Sequence, residues 1–494
     1  MLQEDRRPAD CLDRRRAGIL LHITSLPGSG ACGDLGPDAH HFIDFLVDCG
    51  MSVWQMLPIG PTGGEGSPYQ CSSVHAGNPR LISLWPLLDK GWLEPDEAEQ
   101  AGGSDEGKRD ALRAAWNRFQ ARASQEDREV LQRFVAANAY WLDDFALFQA
   151  LADDRGQTWW EWPDGLRDRD PTALEGARAR LRAAIEGVRF EQFLFFDQWR
   201  ALRDHANARG VKLFGDMPIF VAHDSAEVWA RPRDFDLHAD GQPRVVAGVP
   251  PDYFSATGQR WGNPLYRWDR MEADGYRFWL DRMRTQLHLF DMSRIDHFRG
   301  FEAYWEIPAE EPNAVQGRWV KAPGDAVFTR LHQRFDQLPL IAEDLGTLTP
   351  EVEALRKKYR LPGMKVLQFA FSGEPENPYL PFHHGRDSVV YTGTHDNNTT
   401  LGWYRSLDDH ARAHVDESLG RSNEAMPWPL IRCALASRAH LAILPMQDVL
   451  GLDEEHRMNM PGTPYGNWQW RFSWDQVEPD LPTRLSRPVR MYGR

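Results

Sequence analysis

Short apolar runs bounded by glycine, proline or aspartate recur along the whole length of the chain. They are rich in aliphatic and β-branched residues, and their lengths suit strands that are buried on both faces of a parallel sheet. The pattern predicts eight strands, at 18–26, 52–60, 212–221, 292–298, 338–346, 365–371, 388–396 and 440–448.

Amphipathic helices are predicted between most of these strands. One segment places Leu112, Ala115, Trp116 and Phe119 on a single helical face at 3.6-residue spacing. Another helical segment ends at Gly210, a residue that suits the left-handed conformation after a helix. This alternation predicts an α/β fold, a (β/α)8 TIM barrel, and a doubly wound parallel sheet is the alternative.

The predicted strands are unevenly spaced, and the two longest gaps predict insertions. A mainly helical insertion, 80–210, is expected between the second and third strands. A loop-rich insertion, 222–290, is expected between the third and fourth strands and is predicted to form the active-site cleft. The other predicted units are the catalytic barrel, 14–494, and an N-terminal tail, 1–13.

The composition narrows the classes of function. The 494 residues have a net charge of −15 and no basic run, which argues against nucleic acid and anionic membranes as partners. No apolar stretch approaches the roughly 20 residues of a membrane-spanning helix, and the charged segment 1–16 lacks the apolar core of a secretory signal. The five scattered cysteines favour neither a disulfide framework nor a structural zinc site, so the sequence predicts a cytoplasmic protein. The histidine pairs at 40–41 and 383–384 have no partner at metal-ligand spacing and are predicted to lie at the surface.

Four acidic residues lie in or at the ends of predicted strands: Asp216, Asp296, Glu343 and Asp396. A TIM barrel places its chemistry at the C-terminal ends of its strands, so these side chains are expected to converge. A single acid in such a place is more often a helix cap or a satisfied polar group. Four together favour glycoside chemistry, which needs one carboxylate as nucleophile or base and one protonated carboxyl as acid.

The surroundings of two of these acids predict different roles. Arg294 precedes Asp296 by two positions, so strand alternation points both side chains the same way, and the cation is expected to lower the Asp296 pKa. Glu343 lies in the apolar context "LIAED", where burial is expected to raise its pKa toward that of a general acid. From this argument alone, Asp344 remains as good a candidate as Glu343.

Aromatic residues outside the helical patterns suggest where a sugar binds. The chain has 20 tryptophans. Most aromatic side chains fill cores, but flat sugar faces also stack on them. Tyr253, Phe254 and Trp261 are therefore candidate saccharide platforms.

Longer motifs then point to a family. They include "SPYQ" (67–70), "AGNP" (76–79), "GDMPIFVAHDSAEVW" (215–229), "QRWGNPLYRWD" (259–269), "SRIDHFRGFEAYWEIPA" (293–309), "IAEDLGTLTPEV" (341–352), "GTHDNNTTLGWY" (393–404) and "MNMPGTPYGNWQWR" (458–471). In this order, over nearly the whole chain, they resemble the amylomaltase family of 4-α-glucanotransferases, glycoside hydrolase family 77, which are relatives of the α-amylases.

The resemblance implies a role for each acid. It implies Asp296 as the nucleophile, Glu343 as the acid/base and Asp396 as a residue that holds sugar hydroxyls and stabilises the transition state. It further implies that substrate is bound by Tyr69, Asp216, Arg294, His395, Trp261, Ser67 and Asn467. It implies no metal and no cofactor, and a mobile loop at about 248–259.

The family resemblance implies a retaining transglycosylase that moves α-1,4-glucan segments between malto-oligosaccharides. An α-1,4-glucan hydrolase of amylase or α-glucosidase type is the alternative, and a non-catalytic glucan-binding barrel is less favoured. Cys71 and His75 depart from the aromatic residues expected in that region, so they are candidates for altered acceptor or long-chain binding. The sequence indicates no oligomeric state.

Overall fold

The computed structural model describes residues 14–64, 66–252, 255–346, 348–463 and 465–494. The predicted tail, 1–13, and the candidate platforms Tyr253 and Phe254 lie outside the described residues. The described residues form the following strands: β1 (Arg16–Leu20), β2 (Val53–Gln55), β3 (Lys212–Pro218), β4 (Val245–Val249), β5 (Gln259–Pro264), β6 (Met292–Asp296), β7 (Ala303–Pro308), β8 (Arg318–Lys321), β9 (Leu340–Ala342), β10 (Gly363–Val366), β11 (Ser388–Tyr391) and β12 (Leu441–Pro445).

Eight of these strands are parallel and form a nearly closed barrel. Their order is β10-β11-β12-β1-β2-β3-β6-β9. The backbone N–H of Ala342, in β9, donates to the carbonyl of Pro362 at 2.8 Å, next to β10, and so joins the two ends of the sheet. All eight predicted strands are present and each is shorter than predicted, although β1 and β10 begin two residues before the predicted start. The curled sheet is that of a (β/α)8 TIM barrel, not of an open doubly wound sheet.

Helices surround the barrel. They are α1 (Pro37–Asp48), α2 (Trp85–Asp89), α3 (Pro95–Ala101), α4 (Asp105–Arg122), α5 (Gln125–Arg155), α6 (Asp164–Arg167), α7 (Pro171–Arg180), α8 (Arg182–Ala208), α9 (Ala226–Ala230), α10 (Trp268–Ala273), α11 (Arg277–Leu289), α12 (Gly324–Arg334), α13 (Pro350–Lys358), α14 (Thr400–Ser406), α15 (Asp409–Ser418), α16 (Trp428–Ala436), α17 (Met446–Val449) and α18 (Leu481–Met491). Among the described residues, no helix is long and apolar enough to cross a membrane.

The barrel strands are apolar because both of their faces are covered. Every residue of β1, β11 and β12 is buried, which is why these strands read as continuous apolar runs. One set of side chains fills the barrel interior, including Phe214, Met292 and Ile341. The opposite set packs against the helices.

The chain leaves the barrel at two long excursions and at one shorter one, between β6 and β9, which forms β7, β8 and α12. Helices α2 to α8 lie between β2 and β3, where α5 packs against α8. Between β3 and β6 the chain forms α9, β4, β5, α10 and α11. The division of the chain into the units 14–494, 80–210 and 222–290 stays a prediction.

A second sheet was not predicted. It is antiparallel, in the order β5-β4-β7-β8, and it combines strands from before and after β6. The segment 222–290 was expected to be loop-rich because it is rich in proline, glycine and aromatic residues, and the strands β4 and β5 within it are short.

Candidate active site

The ends of three adjacent barrel strands bring the predicted acids together. In the register of β3 with β6, Asp216 is opposite Arg294 and Pro218 is opposite Asp296. In the register of β6 with β9, Ile295 is opposite Ala342, so Asp296 and Glu343 follow as neighbours. Adjacent strands are about 4.8 Å apart, so these two residues are neighbours at the C-terminal rim, and the Glu343 charge acts on Asp296.

Arg294 forms ion pairs with two carboxylates. Its Nε lies 2.9 Å from Asp216 Oδ1, and its Nη2 lies 2.6 Å from Asp296 Oδ1. The Arg294 and Asp216 side chains are only 4% and 1% exposed, whereas Asp296 is 30% exposed. Charges buried this deeply are costly unless they are paired, so the guanidinium explains how a buried strand tolerates two acids.

Tyr69 connects this ion pair to the acid that follows β11. Its hydroxyl donates to Asp216 Oδ2 at 2.7 Å and lies 2.8 Å from His395 Nε2. The same imidazole nitrogen lies 3.3 Å from Asp396 Oδ2. Asn459 Nδ2 donates to Asp396 Oδ1 at 2.6 Å, although the sequence analysis assigned no role to Asn459.

Glu343 is oriented by backbone N–H groups. His297 N donates to Glu343 Oε2 and Leu345 N donates to Oε1, each at 2.8 Å. His297 has φ +56°, in the left-handed region that residues other than glycine seldom adopt. The left-handed turn at His297, directly after Asp296, directs the His297 N–H toward the Glu343 carboxylate.

Asp344 faces a different part of the molecule. Its Oδ1 accepts from Met364 N at 2.7 Å, and its Oδ2 lies 3.2 Å from Arg356 Nε. The side chain is 6% exposed. The choice that the sequence left open therefore falls on Glu343, because Asp344 is bound within the protein.

Burial shifts the acidity of the central carboxyls. It raises the pKa of Glu343, the direction that the sequence predicted. It also raises the pKa of Asp296, so the predicted lowering was wrong. The Arg294 charge does oppose the rise, but burial and the neighbouring Asp216 and Glu343 carboxylates outweigh it. Burial lowers the pKa of His395, which keeps that imidazole neutral at pH 7.

Aromatic rings lie on both sides of the carboxyls. On one side Trp261 in β5 meets His297 edge-on, with ring centroids 4.8 Å apart. On the other side Trp468 lies 5.9 Å from Tyr69 and 6.1 Å from His395, centroid to centroid. The space between is suited to a polar ring-shaped ligand that offers hydroxyl groups to acids and flat faces to aromatic side chains.

Ser67 and Asn467 are less directly connected to the acids. Ser67 Oγ accepts from Tyr69 N at 3.4 Å, within the turn that presents Tyr69. Asn467 accepts from Met460 N at 2.9 Å and donates to Thr463 O at 2.8 Å, both within its own loop. The structure does not bring Asn467 into the chain of contacts that joins the other predicted residues, so its binding role stays a prediction.

Cys71 and His75, the two residues that depart from the family pattern, lie beside the turn that contains Tyr69. Cys71 Sγ donates to Pro68 O at 3.0 Å, and His75 Nδ1 lies 2.7 Å from Thr285 Oγ1. Both side chains line a small cavity of about 50 Å³ that also reaches Tyr69 and Asp216. They belong to the support of the site and do not form its open surface.

Among the described residues, no group of three or more His, Cys, Asp or Glu side chains is arranged to hold a metal ion. One surface prediction was wrong: His384 is 2% exposed, and its two ring nitrogens contact Ser437 Oγ at 2.7 Å and Tyr379 O at 2.8 Å.

Comparison with known proteins gives consistent matches. The family model described as 4-alpha-glucanotransferase, glycoside hydrolase family 77, matches residues 21–476. A 4-alpha-glucanotransferase of Thermus thermophilus is 52% identical over 487 residues, which cover 95% of this chain and 97% of the relative. One from a Synechocystis species is 46% identical over 498 residues, with 98% and 99% covered. The solved structure of amylomaltase from Streptococcus agalactiae in complex with acarbose matches with a TM-score of 0.94 and 35% identity, covering 97% of this chain and all of that one.

Proposed function

The chain belongs to the 4-alpha-glucanotransferase family, glycoside hydrolase family 77, and from that premise we propose a retaining transglycosylation of α-1,4-glucans. Segments of malto-oligosaccharides pass from donor to acceptor through a covalent β-glycosyl ester on Asp296. The observation that supports this most directly is the pairing of Asp296 with Arg294 at 2.6 Å beside Glu343 on the next strand. Retaining glycosidases need two carboxyl groups about 5–5.5 Å apart, which is close to one strand spacing.

The first half of the reaction breaks the donor. The Glu343 carboxyl gives its proton to the glycosidic oxygen while Asp296 Oδ attacks the anomeric carbon from the opposite face. The leaving glucan departs with a free 4-hydroxyl, and the glucosyl unit remains on Asp296 as a β-ester.

The second half uses the same groups in reverse. The Glu343 carboxylate takes the proton of an acceptor 4-hydroxyl, and that oxygen displaces Asp296 from the anomeric carbon. Two inversions restore the α-1,4 bond and return the proton to Glu343.

The charges of the site support this division of roles. Two neighbouring buried carboxyls do not both ionise readily, so the pair holds a proton. Arg294 contacts Asp296 directly, whereas Glu343 accepts from the neutral amides of His297 and Leu345. A contact between two ions is stronger than one with a neutral donor, so the negative charge belongs on Asp296 and the proton on Glu343.

The remaining predicted residues bind the donor and the acceptor. Tyr69, Asp216, Arg294 and His395 hold the sugar next to the bond that breaks. Asp396, 46% exposed, offers its carboxylate to sugar hydroxyls as the transition state forms. Trp261 stacks on the acceptor side and limits the entry of water, which is the competing acceptor.

Incubation with maltotriose tests the proposal. Transfer gives a ladder of longer and shorter oligosaccharides together with glucose, whereas glucose and maltose alone would indicate a hydrolase. No change at all would indicate a glucan-binding protein without activity.

Variants at the two carboxyls test the assignment of residues. Asp296→Asn and Glu343→Gln should each abolish transfer while the fold remains intact. Asp344→Asn is the matched control, since it removes a neighbouring buried charge that faces Arg356. Trapping of a glycosyl adduct by mass spectrometry should locate it on Asp296. An adduct elsewhere, or near-normal activity in either variant, would refute the mechanism.

A further inference from the structure

A buried carboxylate outside the reaction centre holds the segment that presents Tyr69. We propose that Glu227, with Arg282 as its counter-charge, is a positioning residue for Tyr69. Glu227 acts only as an ionised carboxylate, and the proposal rests on the transglycosylase function given above. Glu227 lies in α9 and is 7% exposed.

The hydrogen bonds around Ser73 favour the ionised form of Glu227. Ser73 Oγ accepts from His75 N at 3.1 Å and from Ala76 N at 3.2 Å, which uses both of its lone pairs. Its single proton then points to Glu227 Oε1, 2.7 Å away. Glu227 Oε2 accepts from Val74 N at 3.1 Å, so both carboxylate oxygens are acceptors.

These bonds fix the segment that follows Tyr69. Ala226 N, at the start of α9, donates to Ser72 O at 2.9 Å, so α9 contacts three consecutive residues, 72–74. Cys71 Sγ donates back to Pro68 O at 3.0 Å and closes the turn that contains Tyr69. Glu227 therefore holds the segment 72–74, and this segment in turn positions the Tyr69 hydroxyl that contacts Asp216 and His395.

Arg282, which lines the small cavity beside Ser73 and Val74, supplies the opposite charge. It lies in α11, is 2% exposed, and its Nη1 donates to Ile219 O at 3.0 Å. It also donates to Pro218 O, the residue opposite Asp296 in the sheet register. The Arg282 charge favours the ionised form of Glu227, so one buried pair of charges supports the Tyr69 turn and the strand end beside Asp296.

Among Glu227, Cys71, Tyr266 and His75, only Glu227 titrates near neutral pH. Burial raises the Glu227 pKa to about 7, and Arg282 opposes the rise. Burial also raises the pKa of the Cys71 thiol to about 12, raises that of the Tyr266 hydroxyl and lowers that of His75 to about 3, so these three stay neutral. As the pH falls through 7, Glu227 gains a proton and loses an acceptor site, and the support of the Tyr69 turn weakens.

The test replaces Glu227 by glutamine, which keeps the size but puts a donor where an acceptor is required. We expect Glu227→Gln to lower kcat/KM for maltotriose transfer about tenfold at pH 8, the effect of one lost hydrogen-bond anchor. Between pH 8 and 6 we expect the wild type to lose activity as Glu227 is protonated as well as through Asp296, and the variant should lack the part of this decline that comes from Glu227. Glu191→Gln in α8 is the matched control, because the Glu191 pKa is likewise raised to about 7 by burial and Glu191 lies outside this network. It should transfer as the wild type does.

A double-mutant cycle separates positioning from a general structural effect. If Glu227 acts through the Tyr69 hydroxyl, Tyr69→Phe combined with Glu227→Gln should be no slower than Tyr69→Phe alone. Additive losses, or an unchanged Glu227→Gln enzyme beside an active wild type, would overturn the inference. If Glu227→Gln does not fold, Ser73→Ala interrupts the same chain with a smaller change and must show the same loss and the same non-additivity. A wild type without transfer activity would instead defeat the proposed function.

Discussion

Replacing Arg294 by methionine tests the electrostatic design of the site most directly. The change keeps a long side chain but removes the guanidinium that contacts Asp216 at 2.9 Å and Asp296 at 2.6 Å. Asp216 then keeps only the Tyr69 hydroxyl among these partners, in a place where its side chain is 1% exposed. Removing one partner of a buried ion pair costs about 3–5 kcal/mol. Since Asp296 is 30% exposed and water screens it, we expect the lower end, about 3 kcal/mol at pH 8.

The pH dependence of this loss has a definite sign. Burial already raises the pKa of Asp296, and Arg294 is the group that lowers it. Without Arg294 the folded variant binds a proton at a pH where the unfolded chain, with an aspartate pKa of about 3.9, does not. The stability deficit should therefore shrink as the pH falls from 8 to 5. Transfer should fall at least about 100-fold, because Asp296 is held in its protonated form.

Urea unfolding at pH 8 and pH 5 and maltotriose kinetics measure these effects. Arg203→Met is the control: Arg203 Nη2 lies 2.8 Å from Asp291 Oδ1, with side chains 12% and 7% exposed, outside the candidate active site. It should lose stability to a similar extent and keep its kcat. A deficit of Arg294→Met that is equal at both pH values, or a kcat within a few-fold of the wild type, would refute the reasoning.

Three further predictions concern the same site and its packing. The transfer rate should depend on pH with two limbs: it falls at low pH as Asp296 is protonated and at high pH as Glu343 loses its proton. Because burial raises the Glu343 pKa, the alkaline limb should lie above the usual range of a glutamate, and a flat profile from pH 4 to 8 would contradict these roles. Tyr69→Phe removes the hydroxyl shared by Asp216 and His395 and should lower kcat/KM about 10- to 100-fold; an unchanged value would show that the hydroxyl does not orient the site. Gly77→Ala should destabilise by about 1–3 kcal/mol, since the new Cβ would lie 2.0 Å from the Phe195 ring, whereas Gly176→Ala in α7 meets nothing within 4 Å and should be neutral or stabilising in thermal unfolding.

The barrel was predictable because its strands are buried on both faces. A strand such as β12, "LAILP", is apolar throughout, which is typical of a strand buried on both faces. The antiparallel sheet was not predictable in the same way. β5 reads "QRWGNP", and β4 pairs with β7 across the whole of β6, so neither local propensity nor neighbouring sequence indicates it.

The acids of the site could be predicted, but their acidity could not be predicted fully. Alternation along β6 correctly placed Arg294 and Asp296 on one face. The pKa of Asp296 depends on the depth of burial and on Asp216 and Glu343, which come from other parts of the chain. The prediction from sequence took only the Arg294 charge into account. The left-handed turn at His297 was not predicted, because residues other than glycine seldom adopt that region.

The four-stranded sheet has a mechanical consequence for Trp261. Strands β4 and β5 precede β6, whereas β7 and β8 follow it. The segments before and after Asp296 therefore pair in the same four-stranded sheet. A movement of the β5 backbone that carries Trp261 would displace β4, because the neighbouring Arg260 pairs with Gly248. β4 in turn pairs with β7 from Val245 to Gly248. Replacing 245–264 alone with the sequence of another protein would leave the edge of β7 without its β4 partner. Engineering of acceptor choice must therefore exchange both flanks as a single unit.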